Sequence, residues 1–74
     1  SLLDYYQKLT TLYGQFRSVG INYNQVVVAL KSNFTEKKAY VMLAQLEKLT
    51  LELAAIGGEI VQLTREFQEK WSQK

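Results

Sequence analysis

The sequence predicts an all-α protein: two short helices folded back on one long heptad-patterned helix, forming a helical bundle or coiled-coil dimer with a second copy. Three observations carry this expectation. The chain contains no proline, so no residue removes a backbone donor from a helix interior. Residues 35–71 hold a nearly unbroken apolar heptad. The 74 residues include no cysteine, and a core this small needs oligomerisation where no disulfide or metal staples it.

The first helix is expected over residues 4–18. Asp4 is its expected N-cap, with Gln7 three residues on to complete a reciprocal capping pair. Leu2, Tyr6, Leu9, Tyr13 and Phe16 follow at helical spacing, and Leu12 broadens their face. Gly14 lies inside the pattern. Gly20 is the expected stop, in the left-handed conformation that glycine adopts at low cost.

A second helix is expected over residues 23–32, with Asn22 as N-cap and Gln25 at its third position. The run from Val26 to Leu30, taken alone, also suits a strand. Capping at one end and Asn33 at the other favour a helix. Thr35 then caps the long helix, expected to reach residue 72, and Glu36 stands near its positive N-terminal end. Phe34 is placed to pack back on Ala39 or Tyr40.

The long helix has countable periodicity. Its a positions are Ala39, Leu46, Leu53, Ile60 and Phe67, and its d positions are Met42, Leu49, Ile56, Leu63 and Lys70. Nine of the ten are apolar, a strong match to a seam that another helix must cover. Met42, Leu46, Leu49, Leu53, Ile56, Ile60, Leu63 and Phe67 are therefore the expected dimer interface. At about 1.5 Å per residue the stripe runs roughly 57 Å, against about 38 Å for the two short helices together. Glu52, Glu59 and Glu66 flank the seam, with Thr50 and Thr64. Val41, Leu43, Ala44, Leu51, Ala54, Ala55 and Val61 widen it beyond a strict two-stranded coil, which favours a bundle. Gly57 and Gly58 each cost about 1 kcal/mol relative to alanine. Three readings fit them: close approach of a neighbouring helix over Ala54, Ala55, Gly57 and Gly58, a hinge, or a break.

Composition bounds the rest. Residues 1–74 make one domain at most. At 47% hydrophobic residues the chain is not disordered by composition. No apolar run reaches the length of a membrane span, and no charged-then-apolar leader precedes the first helix. The absence of cysteine fits a reducing cytoplasm. Ser1 in place of an initiator methionine suits a processed chain or a fragment of a longer protein. The net charge of +2 is divided unevenly, +3 over residues 1–38 and −1 over residues 39–74.

Catalysis is not expected. The chain has no histidine and no cysteine, so it lacks the usual activated nucleophiles, proton shuttles and transition-metal ligands. No cofactor, metal or small-molecule substrate is expected. The glutamates lie spread along helix surfaces, and Gly57-Gly58 falls within a helical period rather than in a phosphate-binding loop. The polar cluster Asn22, Asn24, Gln25, Lys31, Lys37 and Lys38 is the candidate DNA-binding set. Amides hydrogen-bond base edges or sugar–phosphate, and lysines neutralise phosphates. Asn22 and Gln25, with Asn33, also suit caps and turns. Tyr5, Tyr6 and Tyr13 could stack on bases, but their spacing equally suits core or interface.

Residues 19–33, read Val-Gly-Ile-Asn-Tyr-Asn-Gln-Val-Val-Val-Ala-Leu-Lys-Ser-Asn, resemble a segment of MobC-like plasmid mobilisation proteins. Gly20, Asn22, Asn24, Gln25, Val26 and Leu30 occupy the matching places. The Thr-Glu-Lys-Lys helix start and the leucine-rich helix ending in Phe67 and Trp71 look like versions carried by conjugative transposons. The resemblance implies a relaxosome accessory component that binds the transfer origin and helps the relaxase nick its strand without cleaving DNA itself. Many members carry a ribbon-helix-helix segment ahead of this region. None is recognisable before Asp4, so the expected contribution of this piece is dimerisation and relaxase docking. Two alternatives remain open: the dimerisation domain of a transcriptional regulator, and a purely structural coiled-coil module.

Overall fold

The computed structural model describes residues 1–32 and 35–72. They form two helices, α1 (Leu2–Ser32) and α2 (Glu36–Ser72), with no strand among the described residues. The pair makes a rod of 58 × 15 × 12 Å. Tyr5 stacks on Phe67 near one end, Phe16 faces Gly57 midway, and Val26 and Leu49 border one groove toward the other. These contacts make the helices antiparallel, the arrangement that a short link between neighbouring helices produces.

The heptad of α2 has the phase expected from sequence. Each a and d position from Ala39 to Phe67 is half-buried, and Lys70 is exposed. The helix that covers this seam is α1 of the same chain. Met42, Leu46, Leu49, Leu53, Ile56, Ile60, Leu63 and Phe67 thus form the inner face of a hairpin.

The two short helices expected over 4–18 and 23–32 are one continuous helix. No described glycine has positive φ, so Gly20 is not a left-handed stop. Asn22 lies inside α1 rather than at a cap. The reason is a second seam, Tyr5, Leu9, Leu12, Phe16, Val19, Tyr23, Val26 and Leu30, whose alternating four–three spacing runs through Gly20 without a phase change. All of these are half-buried except Phe16, which is 38% exposed. A stop at Gly20 would carry Tyr23, Val26 and Leu30 off α2. Losing their burial costs more than the roughly 1 kcal/mol penalty of a helical glycine. Leu2, Tyr6 and Tyr13, expected on the inner face, are exposed; Tyr6 and Tyr13 stand one residue past Tyr5 and Leu12.

The caps divide in the same way. Asp4 does not cap α1. Its amide donates to Ser1 Oγ at 3.3 Å, which puts the box one turn earlier, with Asp4 in the first turn. Thr35 does cap α2: Lys38 N donates to Thr35 Oγ1 at 3.4 Å and Ala39 N to the Thr35 carbonyl at 2.8 Å. The roles expected of Asn33 and Phe34 fall outside the described residues. α2 continues unbroken through Gly57 and Gly58. A Cβ at Gly57 would meet Phe16 Cε2 at 4.0 Å, ordinary contact, and one at Gly58 would meet nothing within 4 Å.

The hairpin has two unlike flanks. In an antiparallel pair the g columns of the two helices adjoin along one edge of the seam and the e columns along the other. The g columns hold Lys8, Gln15 and Asn22 on α1 and Lys38, Gln45, Glu52, Glu59 and Glu66 on α2. The e columns hold Tyr6, Tyr13, Gly20 and Val27 on α1, and Leu43, Thr50, Gly57 and Thr64 on α2. No described residue is fully buried, because two helices cover each other's seam from one side only.

Candidate nucleic-acid interface

The six candidate DNA-binding residues are all exposed, and they fall into three places. Asn22 and Gln25, one turn apart, border a shallow groove on the polar flank. Gln45, Lys48 and Glu52 of α2 line its other side, with Val26 and Leu49 at its base. Asn24 lies around the helix from them, in a depression at Gly20 bordered by Tyr13, Arg17 and Ile21. Gln25 borders both hollows. Lys31 stands in the last turn of α1, and Lys37 and Lys38 in the first turns of α2. The antiparallel turn brings these three lysines to one end of the rod.

Two polar groups were missed from sequence. Lys48 comes to the side of Asn22 and Gln25 only through the α1–α2 register. Arg17 had a local signal, since it precedes Asn24 by one heptad on the same column, but a helix ending at residue 18 concealed it.

The capping role considered for Asn22 and Gln25 is removed by the continuity of α1. None of the amides of Asn22, Asn24 and Gln25 hydrogen-bonds another described residue, and Arg17, Lys31, Lys37, Lys38 and Lys48 make no ion pair among the described residues. Lys31 is well placed beside the negative C-terminal end of α1. Five cations and three amides with no partner among the described residues therefore occupy the half of the rod nearer the turn. They are suited to neutralise phosphates and to hydrogen-bond exposed polar edges. Among the described residues no group of acidic, histidine or cysteine side chains could hold a metal ion. No described helix is long and apolar enough to cross a membrane.

The model of the MobC-like protein family matches residues 1–72. The chain belongs to that family. The match spans both helices, so the seam of α1, the turn lysines and the amide cluster all lie within the MobC-like region. Family membership suggests a mobilisation accessory role, and MobC-like proteins are in general accessory and non-catalytic. No curated protein and no solved structure matches the chain.

Proposed function

We propose that this MobC-like chain is a non-catalytic accessory protein that assists relaxase action at the transfer origin during conjugative DNA transfer. Its part is to dimerise and to dock DNA and protein within the relaxosome, in the cytoplasm. The observation that carries this reading is the gathering of cations and amides without partners among the described residues on the turn-proximal half of a MobC-like hairpin. Arg17, Lys31, Lys37, Lys38 and Lys48 would hold the phosphate backbone. Asn22, Asn24 and Gln25 would contribute shorter-range contacts whose geometry depends on the partner. Phosphate contacts set affinity and orientation, whereas base contacts set sequence preference.

The test combines a shift assay with a nicking assay. Transfer-origin duplex is titrated at two salt concentrations, and the relaxase is then assayed on the same duplex with and without this chain. The expected result is salt-sensitive binding and faster or more complete nicking. Salt-sensitive binding that leaves nicking unchanged points to a regulator's domain. The absence of both effects leaves a structural assembly module.

A further inference from the structure

We propose that the e-side flank of the hairpin is an interface covered by a second copy of this chain, so that two hairpins form a four-helix bundle. This gives the dimer of the mobilisation reading a definite surface, one distinct from the a/d seam of α2 expected from sequence to be the dimer interface. Arg17 and Asn24, beside Tyr13 and Gly20, lie at its margin.

Area is the first support. Folded monomers of 8.5 kDa expose about 4,700 Å² by the scaling of surface with mass. This hairpin exposes 6091 Å², about 1,400 Å² more than that scaling predicts. A standard protein interface removes about 800 Å² from each partner, so the excess is more than enough for one.

The excess has a location. Tyr6, Tyr13 and Val27 on α1 and Leu43 and Val61 on α2 are 41–60% exposed; all occupy e positions except Val61, in the b column beside them. Gly20 and Ala54 lie among them, and a Cβ at Gly20 would meet nothing within 4 Å in the hairpin. A glycine inside a helix costs about 1 kcal/mol, and Gly20 relieves no contact between α1 and α2. It leaves a shallow place where another helix can approach closely.

The threonine hydroxyls of this flank are already satisfied. Thr50 Oγ1 donates to the Leu46 carbonyl at 2.6 Å, Thr64 Oγ1 to that of Ile60 at 2.8 Å, and Thr10 Oγ1 to that of Gln7 at 2.9 Å. These threonines can be covered without leaving a donor unpaired, which would cost about 1–3 kcal/mol each. The opposite flank, with Lys8, Lys38, Glu52, Glu59 and Glu66, offers no such surface.

A second copy is the occupant that these features favour. No described residue of the hairpin is fully buried, so the fold needs a cover in every molecule, and the partner present at matching stoichiometry is the chain itself. The e columns carry no charge beyond Glu36 in the first turn of α2, and the b columns beside them carry Arg17 and Lys31 on α1 against Glu47 on α2. A surface with few charges, of both signs, meets its own copy with little like-charge repulsion. It also runs most of the 58 Å length of the rod, a length that a second hairpin matches.

Sedimentation equilibrium on the intact chain without DNA tests this. The wild type should sediment at twice the chain mass, with a melting temperature that rises with protein concentration, as mass action requires of a folded dimer. Leu43→Glu combined with Val61→Glu should raise the dimer dissociation constant by about 100-fold or more, because four carboxylates per dimer would be desolvated. Thr11→Glu combined with Ser18→Glu, on the polar flank, should leave it unchanged. A nitroxide at Tyr13→Cys should be immobilised and one at Ser18→Cys mobile, and this reading holds even if the Leu43/Val61 variant fails to fold. A folded wild-type monomer with a concentration-independent melt overturns the proposal. So does a dimer that the polar-flank variant dissociates, or one in which both labels are equally mobile.

Discussion

The hydroxyls of Tyr5 and Thr64, 59 residues apart in the chain, meet at 3.1 Å. Thr64 uses its only proton on the Ile60 carbonyl at 2.8 Å, so the Tyr5 hydroxyl is the donor and Thr64 Oγ1 the acceptor. The Tyr5 ring stacks on Phe67 with centroids 4.6 Å apart, and Phe67 in turn contacts Trp71 at 5.5 Å. This cluster holds the start of α1 on the last turns of α2. Tyr5→Phe keeps the stack and removes one part-buried hydrogen bond, a loss of about 0.5–1.5 kcal/mol. Tyr5→Ala removes both and should cost about 3 kcal/mol. Denaturant melts of the two variants distinguish a bond from a stack; equal losses would assign the whole effect to the hydroxyl.

Thr35 is the N-cap of α2, and its substitution should report on that helix alone. Thr35→Ala should cost about 1 kcal/mol, and Thr35→Asp should recover most of it through the same acceptor geometry and the helix dipole. Thermal melts that leave Thr35→Ala as stable as the wild type would show that Lys38 N finds an equivalent acceptor.

The helical glycines make a prediction opposite in sign to the one sequence suggests. A left-handed Gly20 would be strained by any β-carbon. The helical Gly20 has open space around it, as does Gly14. Gly14→Ala should raise the melting temperature, a gain of up to about 1 kcal/mol. Gly20→Ala should raise helicity by circular dichroism, although it narrows the place where the second copy approaches. Gly57→Ala is tolerated at ordinary contact with Phe16, whereas Gly57→Leu should push the helices apart. Lower helicity in Gly20→Ala would restore the stop.

Charge in the seam should destroy more than charge on the flank. Leu53 and Ile60 are half-buried a positions covered by α1, so Leu53→Asp or Ile60→Asp should cost more than about 2 kcal/mol and melt the hairpin itself. Far-ultraviolet circular dichroism checks this. Full helicity in either variant would mean that α1 does not depend on the seam.

The turn lysines should act through salt. With Lys31, Lys37 and Lys38 each contacting one phosphate in both copies of a dimer, these three lysines contribute at most about −5 to the slope of log K against log salt on duplex DNA. Neutralising all three should flatten the slope without loss of helicity, since all are exposed. Asn24→Ala should alter sequence preference and leave the slope alone. An unchanged slope in the triple variant would move the phosphate contacts to other cations, with Arg17 and Lys48 the next to substitute.

Within α2, periodicity and capping were legible in the sequence: the a and d residues from Ala39 to Phe67, the Thr35 cap and the exposed Lys70 needed no partner to be read. Which helix covers that seam was not legible, because an a/d stripe demands a covering helix without saying whether it comes from the same chain. Nor was the continuity of α1. Local chemistry at Gly20 and Asn22 reads as a stop followed by a start, and only a neighbouring helix offering burial to Tyr23, Val26 and Leu30 outweighs the cost of the glycine. For the same reason the candidate residues were named individually from sequence, while their division was decided by register. Packing α1 antiparallel on α2 turns Asn22 and Gln25 toward Lys48, sends Asn24 to the side of Arg17 and gathers Lys31, Lys37 and Lys38 at the turn. Side-chain identity and period are local properties of a chain, whereas adjacency across 59 residues exists only once two apolar seams have found each other.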